Sequence, residues 1–341
     1  MRRLFWLVAT VALVPFAGVI YQKLGEQADR RRYRSAGRLV RVGSLSLYVR
    51  DAAPEPDIAN SSPTIIFESG IGATSQNWTA LQQTLAQHVR TLSYDRAGLG
   101  WSSSRISTPT PEQLARELRA LLSAAGVPPP YFLVAHSFGG LVARHFAAAY
   151  PSEVVGLVLI DPMRPEEWPP LNQNASVERG IRLAQMGRIA ARFGLARLFM
   201  RSMLLGSRGI ARALCRLGGE PARSLMDRML CEVGKMPREV WPSVVANWSR
   251  PEFFRTLEAY LQAIPQTIEE MHGRKPLTLP VVVLTPRSAD PLTGSQLRAI
   301  SSNARQVIAP DSAHWIHLDE PDLVLASIQE MLAALSQVQA H

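Results

Sequence analysis

Short and nearly continuous apolar runs recur along the chain, separated by segments with helical signals. Such runs are typical of strands that are buried on both faces of a parallel sheet. In chain order the runs are RLVRVG and SLSLYVR, joined by a tight Gly-Ser turn, then TIIFE, TLSYD, YFLVAH, VVGLVLID, PVVVLTP and the weaker RQVIAP. Because helical segments alternate with them, we predict an α/β fold with a mostly parallel central sheet flanked by helices.

The clearest helix signal lies in the middle of the chain. Thr110, Pro111 and Gln113 supply an N-cap, a proline in the first helical position and a capping-box partner. This combination predicts a helix from Pro111 onward. Residues 137–150 and 321–338 also have the pattern of helices.

The N-terminal segment carries a long uncharged run. After Arg2 and Arg3, the stretch Leu4–Tyr21 contains no charged side chain, and its length is about what a helix needs to cross a bilayer. We predict a single-pass N-terminal transmembrane anchor, with a cleaved signal peptide as the alternative. The positive charges around the run slightly favour a cytoplasmic position of the domain that follows it, and the side of the membrane stays open.

A long insertion interrupts the strand pattern. Between the strand that ends at Asp161 and the one that begins near Pro280, the chain has almost no strand signal and is rich in Arg, Ala, Leu and Met. This composition predicts a helical lid. We therefore divide the chain into a membrane anchor with a basic linker (1–34), a first part of the core (35–162), the helical lid (163–276) and a second part of the core (277–341).

Composition and charge add a preference for anionic partners. The chain has 341 residues, of which 47% are hydrophobic and 19% charged, as in folded globular proteins. A net charge of +9 without a nucleic-acid-binding signature favours an anionic membrane surface, and we expect no nucleic-acid partner. The two cysteines, Cys215 and Cys231, decide neither a disulfide nor a compartment, and the oligomeric state stays open.

The stretch VAHSFGGLVA holds the first candidate for chemistry. Ser137 follows an apolar strand, precedes a helix and has the small residues Ala135 and Gly139 beside it. The plain interpretation is a helix cap. The alternative is a nucleophile held on a strained turn near a helix N-terminus, where negative charge is favoured. The pattern is that of the G-x-S-x-G nucleophile elbow, with alanine in the first glycine position.

A serine nucleophile also needs N–H donors for the developing oxyanion. Phe138, directly after the serine, supplies the first N–H. After TIIFE comes SGIGATSQNW, where Gly70 and Gly72 allow the backbone to bend close to a substrate. We predict Ile71 as the second donor, with an ordinary glycine turn as the alternative.

The base and the acid have two candidates each. His314, in DSAHWIHLDEP, is the predicted base, and His317 competes with it. Asp290, in RSADPL after the strand PVVVLTP, is the predicted acid, and Asp161 at the end of VVGLVLID is its rival. Both aspartates follow parallel strands, where sites of such sheets form. Chain order and the length of its loop favour Asp290.

From about Arg38 to near the C-terminus, the chain resembles proteins of the α/β-hydrolase fold. The resemblance is to the lidded group that includes esterases, lipases and C–C-bond hydrolases, and it rests on ESGIGATSQNW, YDRAGLGWS, AHSFGG, TPRSADPL and SAHWIHLDEP. It implies a triad of Ser137, Asp290 and His314. Dehalogenases and epoxide hydrolases of this fold use an aspartate nucleophile, so a serine at this position argues against both.

The chain departs from the family pattern at two positions. Ser69 stands where the family often has the histidine of a His-Gly pair, and Ala135 replaces the first elbow glycine. Neither change removes a catalytic group. In YDRAGLGWS we assign Asp95 and Arg96 a structural role, locking the loop by hydrogen bonds.

These features together predict a membrane-anchored serine hydrolase that cleaves carboxylic esters, hydrophobic or lipid-like ones in particular. The alternatives are a thioesterase, amidase, C–C hydrolase or acyltransferase of the same fold, and a non-catalytic, membrane-tethered binding protein. The sequence has no metal-ligand cluster and no dinucleotide fingerprint, so we expect no cofactor and no metal. Since the anchor precedes the first strand, we expect a chain without Met1–Arg34 to be soluble and active.

The lid carries arginines at helical spacing. The sets are Arg188 and Arg192, Arg197 and Arg201, and Arg208, Arg212 and Arg216. The plain interpretation is a solvated basic face. The alternative is a lid that rests on an anionic membrane, with apolar residues beneath it lining an acyl-chain pocket.

Overall fold

The computed structural model describes residues 2–54, 62–105, 109–165, 175–206, 231–271 and 273–339 of the chain. Eight strands form one sheet: β1 (Arg38–Val42), β2 (Leu45–Ala52), β3 (Thr64–Glu68), β4 (Thr91–Tyr94), β5 (Tyr131–His136), β6 (Val154–Ile160), β7 (Leu277–Pro286) and β8 (Ser301–Ala309). Their order is β1-β2-β4-β3-β5-β6-β7-β8. The pairings β1–β2 and β2–β4 are antiparallel and all the others are parallel. The predicted mostly parallel sheet is confirmed.

Helices cover both faces of this sheet. Those of the core are α2 (Thr79–Leu85), α3 (Pro111–Ala125), α4 (Gly139–Ala149), α9 (Gly294–Ile300), α10 (Ile316–Asp319) and α11 (Pro321–Gln339). On one face, Leu133 of β5 belongs to a buried cluster with Leu118 of α3 and Phe146 of α4. On the other face, Phe132 clusters with Ile328 of α11. Alternate strand residues therefore pack to opposite sides, as the pleat requires.

The start of α3 follows the predicted chemistry. Thr110 accepts a hydrogen bond from the Gln113 N–H, and the Gln113 side chain accepts one from the Thr110 N–H. Pro111 occupies the first turn, and Gly126 ends the helix in a left-handed conformation. The reciprocal pair satisfies backbone donors that a helix start otherwise leaves open.

The described part of the predicted lid consists of helices. They are α5 (Ala175–Arg192), α6 (Leu195–Leu204), α7 (Trp241–Trp248) and α8 (Pro251–Met271). The third set of arginines at helical spacing, Arg208, Arg212 and Arg216, lies outside the described residues. Cys215 also lies outside them, whereas Cys231 is an exposed free thiol. The domain boundaries drawn from the sequence stay a prediction.

Two of the other lid arginines are paired and do not form a solvated face. Arg188 makes a 3.2 Å ion pair with Glu258 of α8. Arg197 is fully buried and pairs with Asp29 of the N-terminal helix α1 (Arg2–Tyr33). The expectation that Arg197 joins a basic surface is therefore wrong, because its charge is used to hold two helices together.

The N-terminal helix is packed against the lid. Arg197 Nε also donates to Gln22 Oε1 at 3.0 Å, and Gln22 Nε2 donates to the carbonyl of Ser249 at 3.0 Å. In the part of the chain that the structure describes, no helix is long and apolar enough to cross a membrane. The predicted single-pass anchor is therefore not supported, and the second half of α1 docks on the lid instead.

Candidate active site

Ser137 lies on a sharp turn between β5 and α4. Its φ of +53° is unusual for a residue with a side chain. The turn is held because the Ser137 N–H donates to the Ile160 carbonyl at 3.0 Å, while the Met163 N–H donates to the Ser137 carbonyl at 3.2 Å. A side chain could not replace Gly139, since its Cβ would lie 2.5 Å from the Glu68 carbonyl oxygen. Close packing thus explains the small residue beside the serine.

The structure pairs His314 with Asp161. The His314 Nδ1 lies 2.6 Å from Asp161 Oδ2. Asp161 directly follows β6 and has a φ of +39°, with its N–H donating to the Leu284 carbonyl at 2.8 Å. Because the carboxylate can only accept, Nδ1 carries the proton and Nε2 is left to act as a base.

The structure sets Asp161, and not Asp290, against His314, so the choice of Asp290 over Asp161 as the acid is not supported. The Asp290 side chain is exposed, and its backbone carbonyl accepts a hydrogen bond from Arg164 at 3.1 Å. Asp161 is only one strand away from Ser137, since β5 pairs with β6 and His136 is in register with Ile160. The rival aspartate therefore reaches the histidine without a long loop.

His314 approaches the elbow through His136. The His136 ring is 4.6 Å from the His314 ring, and its Nε2 donates to the His314 backbone carbonyl at 2.9 Å. Burial, reinforced by the neighbouring His317 and His314, holds the pKa of His136 well below its usual value. His136 is thus a neutral donor that fixes the base-bearing loop beside Ser137. The sequence analysis considered only His314 and His317 among the histidines, and so missed this positioning contact of His136.

His317, the other candidate base, is buried away from solvent. Its ring stacks on Trp78 at 4.6 Å, and neither ring nitrogen has a hydrogen-bond partner among the described residues. Burial lowers its pKa to about 3. Without a carboxylate partner and without exposure, His317 is a packing residue.

The loop after β3 brings the predicted oxyanion donor to the serine. A Cβ on Gly70 would lie 3.5 Å from the Ser137 Cβ and 2.8 Å from the His136 Nδ1, so only a glycine permits this approach. Within the described residues, the N–H groups of Ile71 and Phe138 have no hydrogen-bond partner. Two unpaired donors beside a strained serine match the needs of an oxyanion hole.

A buried ion pair holds the oxyanion loop from behind. Arg96 donates one N–H to the Gly70 carbonyl and another, at 3.2 Å, to Glu68 Oε1. Tyr94 donates to the other oxygen of Glu68. The Gly70 carbonyl and the Ile71 N–H share one peptide plane and point in opposite directions. By holding the carbonyl, Arg96 therefore sets the direction of the N–H.

The charges of this pair are far from water. Burial raises the pKa of Glu68 to about 7, an effect that Arg96 and the Tyr94 hydrogen bond oppose. The Arg96 guanidinium also lies 5.2 Å from the centre of the Phe138 ring and 5.0 Å from that of Tyr260. Sequence reasoning gave Arg96 only a loop-locking role. Its contact with Gly70 connects it to the site itself.

The remainder of the YDRAGLGWS loop behaves as predicted. Asp95 Oδ1 accepts from the Ser75 N–H at 2.8 Å, and its Oδ2 accepts from the Trp101 N–H at 2.9 Å. Gly98 and Gly100 adopt φ values of +86° and +51°, which a larger residue would adopt only with strain. Ser69, in place of the family histidine, accepts a hydrogen bond from Trp78 Nε1 at 2.9 Å.

Apolar side chains from the lid cover the site. Phe253 and Leu257 of α8 approach the oxyanion loop, since a Cβ on Gly72 would lie 3.6 to 3.7 Å from each of them. Ile71, Met163 and Phe253 are partly buried against a cluster that contains Phe138. Among the described residues, no group of three or more His, Cys, Asp and Glu side chains could hold a metal ion.

Comparison with known proteins agrees with this architecture. The sequence model of the alpha/beta hydrolase family matches residues 65–327, so the chain belongs to this family. Over 103 residues it is 38% identical to YqjL of Bacillus subtilis strain 168, and over 110 residues 36% identical to an AB hydrolase superfamily protein of Gibberella zeae. These matches cover 30% and 31% of this chain, but only 41% and 34% of the two relatives.

Solved structures share the fold across most of the chain. The Cif epoxide hydrolase from Acinetobacter nosocomialis superimposes with a TM-score of 0.66 at 13% identity, covering 93% of this chain and 96% of its own. A thermophilic esterase from Thermogutta terrifontis gives a TM-score of 0.56 at 19% identity, covering 88% and 98%. At such low sequence identities, the similarity shows the fold alone. The chain thus has the α/β-hydrolase fold, in agreement with the family match.

Proposed function

We propose that the protein is a serine hydrolase that cleaves carboxylic esters of hydrophobic acids, with Ser137 as nucleophile, His314 as base and Asp161 as the orienting acid. The observation that carries the proposal is the Asp161–His314 hydrogen bond of 2.6 Å. It lies at the carboxyl ends of the strands, where Ser137 is held with a φ of +53°. A serine needs such a base, and the base needs an acid to fix its tautomer.

The proposed reaction runs through an acyl-enzyme. Ser137 Oγ attacks the ester carbonyl carbon while its proton moves to His314 Nε2. The N–H groups of Ile71 and Phe138 stabilise the oxyanion, and the alkoxide leaves with the proton from His314. Water, deprotonated by His314, then attacks the acyl carbon, and Ser137 leaves with that proton. The carboxylic acid is released and the enzyme returns to its starting state.

The preference for hydrophobic acyl groups follows from the covering of the site. Ile71, Met163 and Phe253 are apolar and partly buried against the cluster that contains Phe138, so they suit an acyl chain. Association with a membrane remains part of the proposal, supported by the uncharged run Leu4–Tyr21 and by the net charge of +9.

The proposal is tested with p-nitrophenyl esters of graded acyl chain length. We expect the full-length protein to hydrolyse them, with kcat/KM rising from short to medium chains, and Ser137→Ala to be inactive. Turnover of a thioester or anilide of the same acid, with no turnover of the ester, would overturn the ester assignment. Ester turnover that survives Ser137→Ala would overturn the nucleophile.

A further inference from the structure

Helix α1 and the lid helices leave a large apolar surface exposed. We define the apolar face by Phe16, Ile20 and Leu24 of α1, Met186 and Ile189 of α5, and Leu195 of α6. Each of these side chains is between 43% and 66% exposed. Single exposed apolar residues are ordinary, but a cluster of this size marks an interaction surface.

The six residues belong to one region because α1 crosses the corner between α5 and α6. A Cβ on Gly18 would lie 2.3 Å from the Phe193 carbonyl oxygen, and one on Gly194 would lie 2.8 Å from the Tyr21 ring. On α1, residues 16, 20 and 24 follow each other at one helical turn, so they form a stripe. The opposite side of α1 carries Gln22 and Asp29, which are buried against the lid.

The charges near the apolar face indicate which partner covers it. Exposed basic residues lie on the same three helices: Lys23, Arg192 and Arg201. A second copy of the chain would bring these like charges together. Anionic lipid headgroups would instead complement them while the acyl region receives the apolar side chains. The uncharged run Leu4–Tyr21 is continuous with the face along α1, which begins at Arg2.

We infer that the apolar face is a docking surface for an anionic lipid bilayer, on which α1 and the lid helices lie flat at the interface. The attachment is monotopic: the lid itself, and not only the N-terminal run, enters the membrane. The membrane would also deliver the substrate, because an ester dissolved in the bilayer would meet the lid first. This part of the inference rests on the proposed function.

The face is one helix layer away from the site. Gln185 and Arg188 of α5 contact the carboxylate of Glu258 on α8 at 2.8 and 3.2 Å. Phe253, on the same helix α8, reaches the oxyanion loop. A lid seated in the bilayer thus lies between the lipid and the proposed acyl-binding residues.

The test is flotation of the purified full-length protein with vesicles of phosphatidylcholine alone or of phosphatidylcholine and phosphatidylglycerol in equal parts. We expect binding to both, tighter to the anionic vesicles. The double variant Met186→Glu/Ile189→Glu should bind about a hundredfold more weakly, since two apolar side chains no longer enter the lipid. Ile308→Glu, which alters an exposed apolar residue of β8, is the matched control and should bind as the wild type does.

Three results would overturn the inference. The wild type does not bind either vesicle; the double variant binds as tightly as the wild type, in which case the N-terminal run alone would carry attachment; or the wild type sediments as a dimer that the double variant abolishes, without vesicle binding. Ser137→Ala should float as the wild type does. Failure of the proposed hydrolase activity and failure of membrane docking are therefore read separately.

Discussion

His314 Nδ1 lies 2.6 Å from Asp161 Oδ2, although the two residues are separated by 153 positions in the chain. The strands that precede them, β6 and β8, flank β7 in the sheet. The contact is made possible by the sharp turn at Asp161, whose φ is +39°. This geometry makes Asp161 the residue that orients the proposed base.

Asparagine substitutions at the two candidate acids should have very different effects on kcat. We expect Asp161→Asn to lower kcat by about 10⁴, because the wrong histidine tautomer would then face the serine. Asp290→Asn should leave kcat within about twofold of the wild type, since its exposed carboxylate is not bonded to His314. Steady-state kinetics with one ester decides the matter, and a larger loss in Asp290→Asn would refute the assignment.

Arg96 should control turnover through the oxyanion loop. A lysine at this position keeps the charge but has one nitrogen where the guanidinium uses two to reach Glu68 and Gly70. We therefore expect the hold on the Gly70 carbonyl to loosen and the Ile71 N–H to lose its fixed direction. For Arg96→Lys we expect kcat to fall by about ten- to a hundredfold with KM little changed. Arg119→Lys, in an exposed pair with Glu153, is the control and should behave as wild type. An unchanged kcat in a folded Arg96→Lys would show that the arginine serves stability alone.

The sequence was informative wherever local chemistry decides the structure. The capping box at Thr110, the strand before Ser137 and the glycines of the oxyanion loop all lie within a few residues of the feature they produce. The choice between Asp161 and Asp290 was different, because it depends on which strand end lies nearer to His314. Arg197 gave no local sign of burial, since its partner Asp29 is 168 positions away. Long-range pairing of this kind has no short-range pattern.

Acid should destabilise the protein through its buried histidines. Burial lowers the pKa of His145 and His317 to about 3 and that of His136 well below its usual value. The unfolded chain binds these protons below about pH 6.5 while the folded one does not, so each histidine costs up to about 1.4 kcal/mol of stability per pH unit below that point.

Glu68 acts in the opposite direction. Because its folded pKa is about 7 and its usual value is 4.5, the folded state takes up its proton first, and stability rises as the pH falls between those values. The three histidines together lower the stability more than Glu68 raises it. The free energy of unfolding therefore falls overall as the pH is lowered. Urea unfolding between about pH 7.5 and pH 5 measures it. We expect His317→Phe to flatten the slope, since the ring has no hydrogen bond to lose among the described residues; an unchanged slope would contradict the buried, neutral state of His317.

Two truncations of α1 should have different effects on the melting temperature. Removing residues 1–12 leaves Gln22 and Asp29 in place, and we expect the melting temperature to be unchanged. Removing residues 1–34 takes away the helix that covers Arg197 together with its partners Gln22 and Asp29, and we expect the melting temperature to fall. This replaces the earlier expectation that the whole segment is dispensable. Asp29→Ala in the full-length chain leaves Arg197 covered by α1 without its carboxylate and should cost about 3–5 kcal/mol; equal melting temperatures for both truncations would show that the docked half of α1 does not stabilise the protein.

The central claim, that Ser137 is an activated nucleophile, is tested most directly by labelling with a fluorophosphonate probe. The phosphorus forms a bond to the attacking oxygen and fluoride leaves, so intact-mass and peptide mass spectrometry locate the modified residue. We predict one adduct per chain, on Ser137, with labelling strongly slowed in Asp161→Asn and absent in Ser137→Ala. Labelling of Ser137→Ala at the wild-type rate, or an adduct on another residue of the wild type, would contradict the account.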